Sequence, residues 1–284
     1  MKKECFECNK NTVEKLSKII DIDGYDKDYL NRYIDNYLSH VDMNRTNPDV
    51  MGDIYKYIRQ YLHIHDPYLD IKNNYNTYVL NMYDEIINYI NSSSHPFMIA
   101  LHCAIKGNLI DFGAKHEFSY DMLKKLLFKE LKLTIDDSLK LYHSLKQSES
   151  LLYLCDNCGE IILDLIFIKY IHQYFPHVKI TLALRGEPII NDVCIDDLQY
   201  LKIDDYIDVV SNTLNTPGFI YDRADQYMKE LFDHSDVVIS KGQGNFEGLA
   251  GIDKENLYYL FMAKCDIVSD MLGVETMSIV CKKN

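Results

Sequence analysis

Two periods of hydrophobicity divide this chain. Up to about residue 150, apolar and aromatic residues recur every three or four positions with charges between them. Examples are LSKIIDI, YLNRYIDNYLSHV, VMGDIYKYIRQYL and TYVLNMYDEIINYI. That spacing predicts amphipathic helices, with Asp66-Pro67 and Ser92-Ser93-Ser94 as breaks between them. From residue 150 the pattern changes to short, partly β-branched runs. These are LLYLCD (151–156), VKITLAL (178–184), YIDVVSN (206–212), DVVISKG (236–242), NLYYLFMAK (256–264) and TMSIVCK (276–282). Helix-like segments such as EIILDLIFIKYIHQYF lie between most of them. Strands alternating with helices predict a parallel, layered sheet, and unbroken apolar runs predict strands covered on both faces. The expected fold class is α/β. A Rossmann-like three-layer α/β/α domain with a mostly parallel sheet (151–284) follows an all-helical N-terminal domain (1–150), and the two pack closely.

The 284 residues are 47% hydrophobic, enough to bury a sizeable core. No apolar run is long enough to span a bilayer, and MKKECFECNK carries no apolar stretch of a secretory signal. A cytoplasmic protein without a membrane partner is expected. The net charge of −13 argues against nucleic acid as a partner. It leaves open an anionic small molecule, because a local cation outweighs carboxylates beyond a Debye length of about 8 Å.

In open parallel sheets ligands bind beyond the carboxyl ends of the strands, and the polar residues gather there. The first strand ends in Asp156-Asn157, the second in Arg185-Gly186-Glu187-Pro188 with Asn191-Asp192 shortly after. The third is followed by Ser211-Asn212 and Thr216-Pro217-Gly218, the fourth by Lys241-Gly242-Gln243-Gly244-Asn245. Asp156, Asn157 and Asp192 form an all-oxygen set suited to Mg²⁺ or Mn²⁺ more than to Zn²⁺. Asp156 also reads as a plain N-cap of the next helix, with Asn157 or Glu160 sharing the capping. Glycines 242 and 244 would let backbone N–H groups approach an oxyanion beside Lys241. This is neither a Walker A loop nor a dinucleotide fingerprint.

Met98–Ala114 reads as one apolar helix with Asn108 and Asp111 on one face, either binding something or capping a neighbour. His63 and His65 are two residues apart and do not share a helix face. Eight cysteines imply no disulfides in a cytoplasmic chain. Cys5-x-x-Cys8 reads as a metal or redox site, or as two thiols on a helical turn. Cys155 and Cys158 lie too far from it in sequence for zinc-ribbon spacing.

Several blocks carry a family resemblance. Cys5-x-x-Cys8, GNLIDFG (107–113), DNCGE (156–160), RGEPIINDV (185–193), SKGQGNFEGL (240–249) and LFMAKC (260–265) occur in that order. Together they resemble the metal-dependent damage-control phosphatases formerly grouped as domain of unknown function 89, in the branch with an N-terminal CxxC. The resemblance implies a helical domain on a Rossmann-like one, with one divalent metal held by Asp156, Asn157 and Asp192. Manganese or magnesium is implied first, cobalt or nickel next. It also implies Lys241 near the phosphate and Asn108 and Asp111 approaching from the helical side. Cys158 departs from the pattern, where alanine is usual. Cys265 is grouped with Cys5 and Cys8 in a thiol cluster.

The expected activity is hydrolysis of phosphomonoesters of small metabolites: sugar phosphates, nucleotides or damaged phospho-metabolites. Asp156, Lys241, Asn108 and Asp111 are the expected catalytic residues, and Arg185, Gly242, Gly244, Asn245 and Glu160 the phosphate-binding ones. Asp156 is either a pure ligand or a nucleophile forming an aspartyl phosphate. Alternative readings are an S-adenosylmethionine-dependent carboxyl methyltransferase and a non-enzymatic metal or thiol sensor. Substrate identity and oligomeric state stay open.

Overall fold

Alternate residues of the central strands point to opposite faces of one sheet, and both faces are apolar. In β2 (Ser150–Leu154), Leu151 and Tyr153 enter one core while Leu152 and Leu154 enter another. That two-sided burial is why the run is continuous and not alternating. The computed structural model describes residues 1–109, 120–212 and 214–284. Among them the sheet has seven strands, adding β1 (Ile135–Asp136), β3 (Lys179–Arg185), β4 (Ile207–Asn212), β5 (Val237–Lys241), β6 (Leu257–Met262) and β7 (Ile279–Lys283). Their order is β1-β7-β6-β5-β2-β3-β4. Only the β6–β7 pairing among these strands is antiparallel.

Helices Pro96–Gly107 and Glu160–Tyr174 cover one face through Phe97, Leu101, Ile105, Phe167 and Ile171. Helices Gln226–His234, Gly242–Leu249 and Asp266–Leu272 cover the other through Met228, Phe232, Phe246, Leu249 and Val268. The result is the three-layer α/β/α arrangement with a mostly parallel sheet. A third core joins Leu30, Ile34 and Leu38 of helix Gly24–Ser39 to Val50, Ile54 and Ile58 of helix Asn47–Leu62. Each set repeats every four residues, the stripe an amphipathic helix buries. Asp23 caps the first helix by accepting from Asp26 N–H at 2.8 Å, and Thr46 with Pro48 starts the second. Ile189, from the loop after β3, is buried in this same core.

Local details differ from the periodicity. LSKIIDI leaves the helix at Leu16 and continues as turns, with Leu16 and Ile22 still buried. TYVLNMYDEIINYI splits between helices Leu69–Leu80 and Tyr83–Asn91. The Met98–Ala114 helix ends at Gly107, where a Cβ would stand 2.8 Å from Glu160 Cγ. Glycine here allows two helices to touch. Asn108 therefore occupies a helix end, and Asp111, expected on one face with it, lies outside the described residues.

Lys72, fully buried on helix Leu69–Leu80, joins the helical layer to the strand-end loops. Its ammonium stands 2.9 Å from Asp66 and 2.7 Å from Asp197. Asp197 in turn accepts the Cys194 N–H at 2.8 Å. Removing the ammonium leaves two buried carboxylates uncompensated. Urea denaturation of Lys72→Ala should show a loss of about 3–5 kcal/mol; a loss below about 0.5 kcal/mol, typical of surface positions, would mean the pair is not held in the interior.

Candidate active site

Chain order reverses at β2, which has β3 on one side and β5 on the other. The crevice outside the carboxyl ends of β2 and β5 is the topological switch point, where such sheets bind ligands. β2 leads through Cys155, Asp156 and Asn157 to Gly159 at φ +78, then into helix Glu160–Tyr174. β5 ends at Lys241 and passes through Gly242 at φ +80 into helix Gly242–Leu249. A Cβ on Gly242 would lie 2.0 Å from Asp156 Oδ2. Glycine is required there both by φ and by the carboxylate against it.

The loop after β3 is stitched to the same edge. Asn157 and Asp192 form an antiparallel bridge. Val193 N–H donates to Asp156 O at 2.8 Å, and Cys158 N–H to Asn191 O at 2.9 Å. Ile190, two residues before Asp192, is held at φ +46. A β-branched residue is strained there, and such strain persists where surrounding structure over-determines it.

The carboxylate of Asp156 receives Asn108 Nδ2 at 3.0 Å and Asn157 Nδ2 at 2.7 Å. The same two amides reach Glu160 Oε2 at 3.2 and 3.1 Å. Arg185, 2% exposed, donates Nε to Asp192 at 2.7 Å and Nη1 to Asn245 Oδ1 at 3.0 Å. Its Nη2 stands 3.5 Å from Asp156 Oδ1 and makes no hydrogen bond. Lys241 is fully buried between Glu160 at 2.7 Å and Asp164 at 2.5 Å, and donates to Ala104 O at 2.8 Å. Asn245 donates to Cys155 O and Lys241 O. The structure thus brings together Asn108, Asp156, Asn157, Glu160, Arg185, Asp192, Lys241, Gly242 and Asn245. Gly244 sits in the first turn of the helix after β5, packed against Pro217 O.

Two placements change the expected picture. Glu160 does not offer itself to a phosphate; it is a buried acceptor for Lys241, Asn108 and Asn157. Lys241 has its protons committed to Glu160, Asp164 and Ala104, so it charges the site from beneath. Asp164 was missed from sequence. Its signal was available, as the one acid inside IILDLIFI and four residues after Glu160, hence on the same helix face.

Four buried carboxylates, Asp156, Glu160, Asp164 and Asp192, face two buried cations, Lys241 and Arg185. Burial and the charges of Asp192 and Glu160 push the Asp156 carboxyl well above its usual range. Burial raises Asp192 as well, against the opposing pull of Arg185. Asp164 is pushed up to about 7 by burial, with Lys241 only partly opposing. Asp164 and Glu160 outweigh burial at Lys241 and hold its ammonium protonated. Such an acid excess fits a divalent cation, and the donors Asp156, Asp192 and Asn157 are the hard oxygen ligands Mg²⁺ and Mn²⁺ accept. Asn157 presents its nitrogen to Asp156 and would bind a cation through its oxygen instead. Among the described residues no three His, Cys, Asp or Glu side chains form a metal cage of their own.

Burial raises Cys155 and Cys158 well above the ordinary thiol range, and Cys158 donates weakly to Asp197 at 3.5 Å. Burial also raises Cys5 and Cys8. His63 takes the left-handed conformation at a helix end, and His65 pairs with Asp196.

A doubly wound sheet with a buried acid–base cluster at its switch point defines a class, the α/β enzymes that act on a small ligand at the strand ends. Comparison with known proteins gives the particular family. The damage-control phosphatase ARMT1-like domain matches residues 1–280, so the chain belongs to that family and is a phosphatase. It is 36% identical over 190 residues to a damage-control phosphatase of Pyrococcus horikoshii, covering 66% of this chain and 65% of that protein. An uncharacterised protein of Methanocaldococcus jannaschii is 32% identical over 240 residues, 80% of this chain and 77% of that one. A crystal structure of a DUF89 family protein from P. horikoshii superposes with a TM-score of 0.87 at 28% identity, covering 100% of this chain and 99% of that chain.

Two measurements probe this geometry. Gly242→Ala should lose about 10²-fold in activity, because a displacement near 1 Å at the site costs that much, and about 1–2 kcal/mol in stability from the positive φ; wild-type kinetics would show that the contact with Asp156 does not matter. In chelator, the stability advantage of wild type over Asp164→Asn should fall as pH rises. The folded-state pKa of Asp164 is raised, so its contribution is complete below the unfolded value of 3.8 and is lost towards about 7. A difference in denaturant midpoint between wild type and variant that grows over this interval would contradict the raised carboxyl.

Proposed function

We propose that the protein is a metal-dependent phosphomonoesterase of small phosphorylated metabolites, with one divalent cation, Mn²⁺ or Mg²⁺, held by Asp156, Asn157 and Asp192. The observation that carries this reading is the buried acid excess at the switch point beside an arginine nitrogen without a hydrogen bond. The first calls for a cation and the second for an oxyanion. When bound, the cation would polarise a phosphoryl oxygen and lower the pKa of a bound water.

The chain's own residues then have separate tasks. Arg185 is held by Asp192 and Asn245, with Nη2 left for a phosphoryl oxygen. A guanidinium fixed beforehand stabilises developing charge without reorganising. The backbone N–H groups at the start of helix Gly242–Leu249 suit the same anion. Asn108 and Asn157 fix the orientation of the Asp156 carboxylate. Lys241 supplies a fixed positive charge through its pairs with Glu160 and Asp164. In this reading the helices of residues 1–150 bring Asn108 to the cleft, the edge strand β1 apart, and 151–284 bind metal and phosphate. Eight free cysteines suit a reducing cytoplasmic setting, and no helix among the described residues is long and apolar enough to cross a membrane.

The test is phosphate release from a panel of phosphorylated metabolites and p-nitrophenyl phosphate with added Mn²⁺ or Mg²⁺. Excess chelator and Asp156→Asn should each remove about 10²-fold or more of the activity, beyond what losing an outer-shell partner of a metal costs. Activity surviving both would overturn the reading.

A further inference from the structure

Away from the catalytic edge, a cavity of about 530 Å³ runs along one stripe of helix Glu160–Tyr174. Ile162, Leu165, Ile166, Lys169, His172 and Gln173 line it, and their spacing puts them on one face of that helix. Leu80, which ends helix Leu69–Leu80, and Tyr83, which opens helix Tyr83–Asn91, form a second wall. Lys202, Asp204 and Tyr206, from the segment that enters β4 at Ile207, form the third. The cavity therefore lies at the amino-terminal end of β4, opposite the end that carries the acid cluster. Lys169 stands about 14 Å from Glu160 along the helix axis, at a rise of about 1.5 Å per residue.

The floor is apolar and the walls carry rings. Ile162 and Ile166 are buried, while Leu80 is 42% exposed. The His172 imidazole stacks on the Tyr206 ring, with centroids 3.9 Å apart and planes at 7°. Tyr206 OH donates to Asp204 Oδ2 at 2.9 Å, which engages the carboxylate of this cavity. Lys169 Nζ donates to Tyr83 OH at 3.4 Å and stands 6.0 Å from that ring's centre. Among the described residues, neither Lys169 nor Lys202 makes an ion pair. Two lysines without a carboxylate partner, beside an apolar slot, run against the net charge of −13. Small-molecule sites take this form, a concavity of roughly 300–1,000 Å³ lined by apolar and aromatic side chains with a few placed polar groups.

We infer that this cavity is a second ligand site, separate from the strand ends, for a small aromatic acid in its anionic form. The aromatic body would lie over Ile162, Leu165 and Ile166 between the walls that carry Tyr83 and Tyr206, where rings pack by offset or edge contact. The acidic group would meet Lys169 and Lys202, whose ammonium groups donate and cannot accept. A cationic ligand would face two like charges. A wholly polar anion such as free phosphate would leave the apolar floor against water, without the gain that burying it brings. None of the residues assigned to metal or phosphate takes part, so the inference stands apart from the phosphatase reading.

The test titrates anilinonaphthalene sulfonate, an aromatic anion whose fluorescence rises on leaving water, into the full chain with Mn²⁺ present. Wild type should bind it saturably at one per chain, and should bind its uncharged parent, phenylnaphthylamine, at least tenfold more weakly. Lys169→Glu together with Lys202→Glu should weaken the sulfonate at least tenfold and change the uncharged parent less than twofold. No saturable binding, or an unchanged sulfonate affinity in a double variant folded by circular dichroism, would overturn the inference. Displacement of the probe by inorganic phosphate would place it at the strand ends and reject the site. One probe per two chains, with dimers in sedimentation, would make this face an interface between copies and reject it as well. Should the double variant not fold, proton NMR of wild type decides. The ring signals of His172, assigned by their loss in His172→Gln, should shift as the probe is added while those of His63 stay; His172 signals that do not move reject the assignment.

Discussion

The buried ammonium of Lys241 is the interaction on which the rest of the structure depends. It lies between Glu160 and Asp164 and donates to Ala104 O. In one group it joins the end of β5, the helix after β2 and the helix that delivers Asn108. Removing a charge from such a set is costly, because the partners left behind cannot be solvated. Glu160 carries the constraint outward. Held by Lys241, it orients Asn108 and Asn157, which orient Asp156. The geometry at the strand ends is thus set from beneath the site.

A second clamp works from the other side. Lys72 with Asp66 and Asp197 ties a helix of the N-terminal half to the loop that carries Asp192. Asn76 on that same helix accepts Gly159 N–H at 2.6 Å, fixing the turn between Asn157 and Glu160. Two buried ammonium groups therefore hold the two acidic loops against each other. Cys158 lies in this second clamp through its contact with Asp197. The thiol is thereby part of a packed polar cluster, where burial raises its pKa well above the ordinary range.

The clustering of acids has a cost that the proposed function explains. Like charges brought together in a low-dielectric interior raise one another's pKa, and here burial adds to that at Asp156 and Asp192. A protein selected only for stability would remove them. Their retention, with the strained Ile190 and the unpartnered nitrogens of Arg185 and Asn212 on the same edge, is the pattern expected where stability is traded for binding.

Much of this was legible in the sequence. The change of hydrophobic period at residue 150 marks where the central strands begin, because strands buried on both faces must be apolar throughout; the two-residue edge strand β1 lies before it, inside the stretch expected to be all helical, and is too short to show a period. The polar residues at the run ends, Asp156, Asn157, Arg185, Asp192 and Lys241, are those the sheet gathers, because a parallel sheet collects all its carboxyl ends on one edge. The tertiary structure decided the rest. Asn108 sits at a helix end, since Gly107 lets that helix stop against Glu160. Lys241 turns inward, because Asp164 stands one helical turn beyond Glu160 on the helix covering β5. Those outcomes depend on which buried groups find partners across the fold, and partners distant in sequence leave no period to read.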